Sequence, residues 1–171
     1  MNNITTSQTI GPFSHEAWQW AVDASPVETG TATAGSVTIS GIVYDGAGTP
    51  VNDAQIEAWL PHGGEAEERR ALPGFRRVPT DTQGRFTLNV PRSSPAGEPV
   101  AYITLFARGL VKHQFSAVFL DDDAGLAQSP ILEQVPAARR ATLIAKNSGA
   151  DVYTWDIWMQ TDKETVFFDW T

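Results

Sequence analysis

The stretch "VAYITLFARG", residues 100–109, is apolar at almost every position until it ends in an arginine and a glycine. A strand in the middle of a sheet has this composition, because both of its faces are covered. We therefore predict a central strand from Val100 to Phe106, with Arg108 just beyond its end. The stretch "HQFSAVFL", residues 113–120, follows the short link "RGLVK", so we expect it to pair with this strand as a hairpin.

Further strands are predicted on either side of this hairpin by alternating apolar and polar residues. They are "VTISGIVY" (37–44), "DAQIEAW" (53–59), "RFTLNVP" (85–91), "VYTWDIWMQ" (152–160) and "ETVFFDW" (164–170). The turn "DGAGTP" between the first two predicts that those two form a hairpin. About seven strands at this spacing indicate an all-β fold, either a β-sandwich or a barrel, with at most one or two short helices.

Three segments fall outside the strand pattern. Residues 136–146, "PAARRATLIAK", could form a helix with Pro136 in its first turn, although a loop has the same periodicity. Residues 23–36 are small and polar and predict an exposed loop. Residues 60–80 mix glycine, proline and charge, which indicates an excursion from the sheet. We expect one domain, residues 1–171, with an N-terminal arm at about 1–36.

Composition narrows the class of protein. The chain has 171 residues, 42% of them hydrophobic, a formal net charge of −8 and no cysteine. The negative charge argues against non-specific nucleic-acid binding, which depends on lysine and arginine. No apolar run is long enough for a membrane-spanning helix, and the first ten residues lack the pattern of a signal peptide. We expect a soluble, cytoplasmic protein that binds neither nucleic acid nor membrane.

A metal site built by this chain alone has little support in the sequence. His15, His62 and His113 lie far apart, without the spacing that lets one strand or helix supply two ligands. The run "DDD" at 121–123 lacks the spaced ligands of a calcium loop, and an exposed strand edge is the simpler interpretation. The sequence also contains no nucleophile elbow and no phosphate-binding loop.

A set of blocks spread along nearly the whole chain resembles a known family. The blocks are "SQTIGPF", "GIVYDGAGTPVNDAQIEAW", "TDTQGRFTLNV", "ITLFARGL", "AVFLDDD", "RRATLIAK" and "ETVFFD". In this order they resemble the α chains of protocatechuate 3,4-dioxygenases, within the intradiol ring-cleavage dioxygenases. The resemblance implies a β-sandwich core with loops at its ends. It also implies an (αβ)n hetero-oligomer in which a related β chain binds non-haem Fe(III) through two tyrosines and two histidines.

Applied to this sequence, the resemblance places Val100 and Tyr102 at the two histidine positions. Segments 63–68 and 90–95, which would carry the tyrosine ligands, contain no tyrosine. We therefore expect this chain to supply no metal ligand and no catalytic residue, and to be inactive by itself.

The same resemblance implies that the chain lines the active site of its partner. The residues that correspond to the family's substrate-lining positions are Thr9, Gly11, Pro12, Phe13 and Arg108, with phenylalanine where the family has tyrosine. The implied reaction is O2-dependent cleavage of protocatechuate to 3-carboxy-cis,cis-muconate. Segments 60–80 and 91–99 are short for the family.

Two other functions remain open on the sequence. One is a stand-alone β-sandwich binding module that has lost the metal site, because a fold does not determine a function. The other is an independent enzyme with a metal site that folding assembles from His15, His62, His113 and nearby carboxylates.

Overall fold

The computed structural model describes residues 19–24 and 35–169. The strands are β1 (Ser36–Tyr44), β2 (Gln55–Trp59), β3 (Phe75–Pro79), β4 (Arg85–Pro91), β5 (Ala101–Phe106), β6 (Gln114–Leu120), β7 (Ile144–Gly149), β8 (Val152–Thr154) and β9 (Ile157–Trp158). The α-helices are α1 (Gln19–Asp23), α2 (Gly64–Glu68) and α3 (Pro130–Glu133), with 3-10 segments at Leu126–Gln128 and Ala137–Leu143. The fold is the predicted all-β sandwich, with more short helical segments in the described ranges than the one or two expected.

The strands follow one path, β3-β2-β5-β6-β7-β8-β1-β4, with β9 added on β1. The half from β3 to β6 is antiparallel, and a two-residue parallel pairing of β6 with β7 connects it to the other half. At the opposite side, the Arg76 Nε atom on β3 donates to the Asn89 carbonyl on β4 at 3.1 Å. The two halves therefore face each other as the layers of a nearly closed sandwich.

Most of the buried side chains lie between the two layers. The largest of them come from both halves and include Ile39, Ile56, Leu88, Ile103, Leu105, Tyr153 and Ile157. A second, smaller cluster packs on the other face of β6 and contains Ala117, Phe119, Leu132, Val135 and Leu143. β6 is thus buried on both faces in its second half, which accounts for the unbroken apolar run at residues 117–120.

The central hairpin that we predicted is confirmed. β5 lies between β2 and β6, and it pairs antiparallel with β6 from Ala101↔Val118 to Leu105↔Gln114. The strands at 37–44, 53–59 and 85–91 are also present, as β1, β2 and β4.

The predicted hairpin between 37–44 and 53–59 is wrong. After Tyr44 the chain makes a turn, and an antiparallel bridge brings Pro50 back to Tyr44. Beyond that bridge, Thr80 holds the chain in the other layer, since its Oγ1 accepts from the Ala54 backbone nitrogen at 3.0 Å. β1 consequently pairs with β4, β8 and β9, whereas β2 pairs with β3 and β5.

Four other segments differ from the sequence predictions. Residues 60–80 contain α2 and the edge strand β3, so the segment returns to the sheet that we expected it to leave. Residues 136–146 form a 3-10 segment followed by the start of β7, in place of one helix. Residues 152–160 divide into β8 and β9, because Trp155 and Asp156 leave the ladder between them. In 164–169, one isolated bridge, Phe115↔Phe168, replaces the predicted strand.

The N-terminal part of the chain is described only around α1, which packs against β3. The loop predicted at 23–36 and the arm predicted at about 1–36 lie mostly outside the described residues. Within the described ranges, no helix has the length and hydrophobicity needed to span a membrane.

Candidate functional site

Two groups of positions singled out in the sequence, the former metal-ligand positions and the substrate-lining Arg108, lie at opposite ends of β5. Val100 and Tyr102 are at its start, and Arg108 follows its last residue, Phe106. An antiparallel strand rises about 3.4 Å per residue, so Val100 and Phe106 are roughly 20 Å apart. Arg108 therefore lies far from the positions where this chain would hold a metal.

At the start of β5, Val100 is buried in the main core and also borders a cavity of about 260 Å³. The cavity is lined by Arg92, Ser94, Ala96, Glu98, Val100, Leu120, Asp122, Asp123 and Ala124. Tyr102 packs against the second cluster. Burial and the neighbouring Glu98 carboxylate raise the pKa of the Tyr102 phenol, which disfavours its phenolate form.

These residues do not fit a ferric ion. Val100 has no donor atom, and Tyr102 supplies one phenol whose pKa is raised. His62 lies in the loop after β2, and its Nε2 atom is already 2.7 Å from a carboxylate oxygen of Glu98, which borders the cavity beside Val100. His113 packs between two aromatic rings, Phe106 and Phe115. Among residues 19–24 and 35–169, no three His, Asp or Glu side chains converge as a metal-binding group.

The run at 121–123 has a structural use that its sequence did not reveal. The Asp123 carboxylate accepts from the backbone nitrogens of Gly97 and Gly125, each at 2.8 Å, and so ties two loops together. The Asp122 carboxylate accepts from Arg92 and from the Tyr153 hydroxyl, each at 2.9 Å. These aspartates stabilise the loops around the cavity at the start of β5.

At the other end of β5, Arg108 extends from a tight turn. Ala107 is fully buried, and its carbonyl accepts from the Leu110 backbone nitrogen at 3.2 Å. Gly109 closes the turn with a φ of +83°, a conformation that costs glycine little. The Arg108 side chain between them is 64% exposed. The turn thus presents a guanidinium to the surroundings from a fixed backbone.

Asp53 is the residue of this site that sequence reasoning missed. Its Oδ2 atom lies 3.0 Å from Arg108 Nε, and its side chain is only 8% exposed. β2 and β5 pair antiparallel with Gln55 opposite Phe106. The same register, continued two residues past the start of β2 and the end of β5, places Asp53 opposite Arg108, as in a cross-strand charge pair. The pairing register of β2 with β5 would have indicated Asp53, but neither segment shows that register by itself.

Of the five residues predicted to line a substrate, the structure places one. Arg108 is at the strand end, as expected, while Thr9, Gly11, Pro12 and Phe13 lie outside the described residues.

Comparisons with known proteins identify the family. The chain is 35% identical to the protocatechuate 3,4-dioxygenase alpha chain of Burkholderia cepacia, over 96% of both chains. It is 33% identical to the alpha chain of the same name from Pseudomonas putida, again over 96% of both. The chain belongs to the protocatechuate 3,4-dioxygenase alpha chain family. No protein-family model matches it.

Solved structures agree on the fold of this alpha-chain family member. The dioxygenase domain of a dioxygenase carbohydrate-binding protein fusion from Streptomyces sp. SirexAA-E matches with a TM-score of 0.58 and 17% identity, over 81% of this chain and 85% of that one. Hydroxyquinol 1,2-dioxygenase from Pseudomonas putida DLL-E4 matches with a TM-score of 0.52 and 17% identity, over 72% of this chain and 55% of that one. The sandwich is therefore shared with dioxygenases that are distant in sequence.

Proposed function

We propose that this chain is the α subunit of a protocatechuate 3,4-dioxygenase, which assembles with an iron-bearing β chain and lines the active site of that chain. The observation that carries the proposal is the position of Arg108. It is exposed on the turn that follows β5, roughly 20 Å along this strand from the positions where this chain would bind iron. A cation placed there suits a site completed by another chain.

The reaction that we propose for the assembly is cleavage of protocatechuate between its two hydroxylated carbons. Both atoms of O2 enter the product, 3-carboxy-cis,cis-muconate. The Fe(III) belongs to the β chain in this proposal, because the residues at the corresponding positions here do not fit it. The contribution of this chain is to bind and orient the aromatic substrate.

Arg108 is suited to the carboxylate of protocatechuate. A guanidinium donates two parallel hydrogen bonds to a carboxylate, and such charge-assisted bonds contribute about 1.5 to 3 kcal/mol each. Within the described residues, Asp53 is the one ion-pair partner of Arg108, and it approaches the Nε atom. The two Nη groups can therefore bind a substrate carboxylate.

The N-terminal residues complete the proposed lining. Gly11 and Pro12 allow backbone to lie close to a flat aromatic ring, since glycine has no side chain and proline restricts the chain. Phe13 can pack against the ring but has no hydroxyl to donate a hydrogen bond. Thr9 can supply one hydroxyl.

The test of this function is expression of the chain with and without a β chain of the same enzyme, with the β chain alone as the control. We expect iron and protocatechuate-dependent O2 uptake in the co-expressed assembly and neither in the isolated α chain. Iron and O2 uptake in the isolated chain would contradict the proposal. A stable α chain that never associates with β would instead support a stand-alone binding module.

A second prediction concerns Arg108 in the co-assembled enzyme. Loss of a charge-assisted hydrogen bond in Arg108→Ala should raise the KM for protocatechuate by about tenfold or more, and that for catechol, which has no carboxylate, by much less. Steady-state O2 uptake with both substrates measures this difference.

Lys112→Ala is the matched control. It also removes a cation close to this turn, but the Lys112 ammonium group already pairs with Asp169, whose Oδ1 atom lies 3.1 Å from Nζ. Equal effects of Arg108→Ala on the two substrates would count against a carboxylate-binding role.

A further inference from the structure

A buried carboxylate lies directly behind the exposed guanidinium of Arg108. The Asp53 side chain is 8% exposed and the Arg108 side chain is 64% exposed, with Nε and Oδ2 3.0 Å apart. The ion pair therefore runs from the interior of the domain to its surface. The Nε atom of Arg108 is therefore held close to the domain by a charge that lies behind it.

Asp53 contributes little that the local fold requires. Its second oxygen, Oδ1, is buried and has no hydrogen-bond partner among the described residues. A buried carboxylate oxygen without a donor lowers stability. The backbone around it is held by Thr80, whose Oγ1 donates to the Val51 carbonyl at 2.8 Å and accepts from the Ala54 nitrogen at 3.0 Å. Among the described residues, the Arg108 guanidinium is the group with which the Asp53 carboxylate pairs.

We propose that Asp53 is a positioning residue for Arg108, an inference that rests on the function proposed above. An arginine side chain on an exposed turn samples many rotamers, and binding must immobilise it at an entropic cost. The ion pair at Nε removes part of that freedom before the substrate arrives. It also orients both Nη groups toward a carboxylate outside the domain, as bidentate binding requires.

The negative charge of Asp53 acts in the opposite direction, because it repels the substrate carboxylate. This repulsion is weak because the Arg108 guanidinium stands between the two carboxylates, so its positive charge is nearer to each of them than they are to one another. Orientation therefore outweighs repulsion, and removal of the Asp53 charge weakens substrate binding.

The experiment is a double-mutant cycle in the co-assembled enzyme, with Asp53→Asn, Arg108→Ala and both together. Asp53→Asn should raise the KM for protocatechuate about three- to tenfold, the range of a modest side-chain coupling, and raise that for catechol less. The effect should vanish in the Arg108→Ala background. The melting temperature of the assembly should not fall, whereas loss of a purely structural ion pair would lower it.

Two further variants complete the design. Asp122→Asn is the matched control, since Asp122 also pairs with an arginine, at 2.9 Å from Arg92, but beside the cavity at the start of β5. Asp53→Glu keeps the charge and lengthens the side chain, so it should also raise the KM for protocatechuate. It replaces the asparagine variant if that variant does not assemble.

The outcomes separate this inference from the proposed function. Suppose that Arg108→Ala weakens protocatechuate binding. If Asp53→Asn then leaves protocatechuate binding unchanged or tightens it, the positioning role of Asp53 is wrong and the proposed function stands. An Asp53→Asn effect that persists without Arg108 also overturns the positioning role. If Arg108→Ala itself has no effect on KM, the proposed role of Arg108 fails, and that of Asp53 fails with it.

Discussion

Among the glycines that the structure describes, Gly41 is the one where an added methyl group would meet the closest atom. It lies in β1 between the residues that pair with β8 and those that pair with β9. A Cβ atom built on it would stand 1.8 Å from the carbonyl oxygen of Trp155. Trp155 is tied to the same place, since its nitrogen donates to the Ser40 carbonyl at 2.9 Å. The crossing of these two segments requires glycine.

We expect Gly41→Ala to lower the free energy of unfolding by about 3 kcal/mol or more, because the backbone of β1 or of Trp155 must move. The matched control is Gly109→Ala, where φ is +83° and no atom lies within 4 Å of the new Cβ. That variant meets backbone strain alone, about 1 to 2 kcal/mol. Urea unfolding of the two variants measures the difference, and equal losses would contradict the proposed clash.

Among the elements, β3 is a strand that the sequence pattern did not predict. Its residues, "FRRVP", contain two arginines and a proline, which is unlike a strand that buries side chains. Arg76 is nevertheless 4% exposed, because Glu67 at the end of α2 pairs with its guanidinium through both carboxylate oxygens. Glu67 also accepts from the Gly74 nitrogen at 3.0 Å. A buried ion pair thus attaches the loop of residues 60–74 to the sheet.

Glu67→Gln should destabilise the domain by about 3 to 5 kcal/mol, since it leaves the buried Arg76 without a counter-charge. The control is Asp169→Asn, which breaks the exposed pair with Lys112 and should cost at most about 1 kcal/mol. Chemical unfolding near pH 7 compares the two. Similar losses for both variants would show that the Glu67 pair is not buried in solution.

The same pair predicts a dependence of stability on pH. Burial raises the pKa of Glu67, but hydrogen bonds from Arg76 and Gly74 and the charges of Arg76 and Arg70 outweigh it, so the pKa is lowered overall. The pair therefore stabilises the fold fully above the pKa of unfolded glutamate, about 4.3, and this stabilisation is lost as pH falls through the lower folded pKa. The stability difference between the native chain and Glu67→Gln should narrow on acidification, and a constant difference would contradict this.

The sequence predicted the strands that leave a pattern in their own residues. It failed where a strand or a contact depends on residues that are distant in the chain. β5 and β6 were predictable because burial on both faces leaves a continuous apolar run. β3 was missed because its buried cation depends on Glu67, which no strand pattern includes. The start of β7 lies inside the segment 136–146, whose pattern suits a helix or a loop, because Pro136 also suits the start of the 3-10 segment that precedes β7. The position of Arg108 just beyond a strand end was predictable from the apolar run before it, but its pairing with Asp53 required the register of β2 against β5.

At the scale of the whole molecule, the sandwich keeps its two ends chemically distinct. The start of β5 faces a cavity bordered by paired charges, among them Arg92 with Asp122. The other end carries the turn with Arg108 and the exposed Val111, whose side chain is among the large apolar residues at the surface. The antiparallel half that contains β5 sets the distance between the two ends.

This separation makes the two ends mutationally independent. Substitutions roughly 20 Å apart that share no partner have nearly additive effects. A change at Val100 or Tyr102 can therefore be combined with one at Arg108 or Asp53, and the free energies of the two changes should add without any change in the strand that connects the two ends.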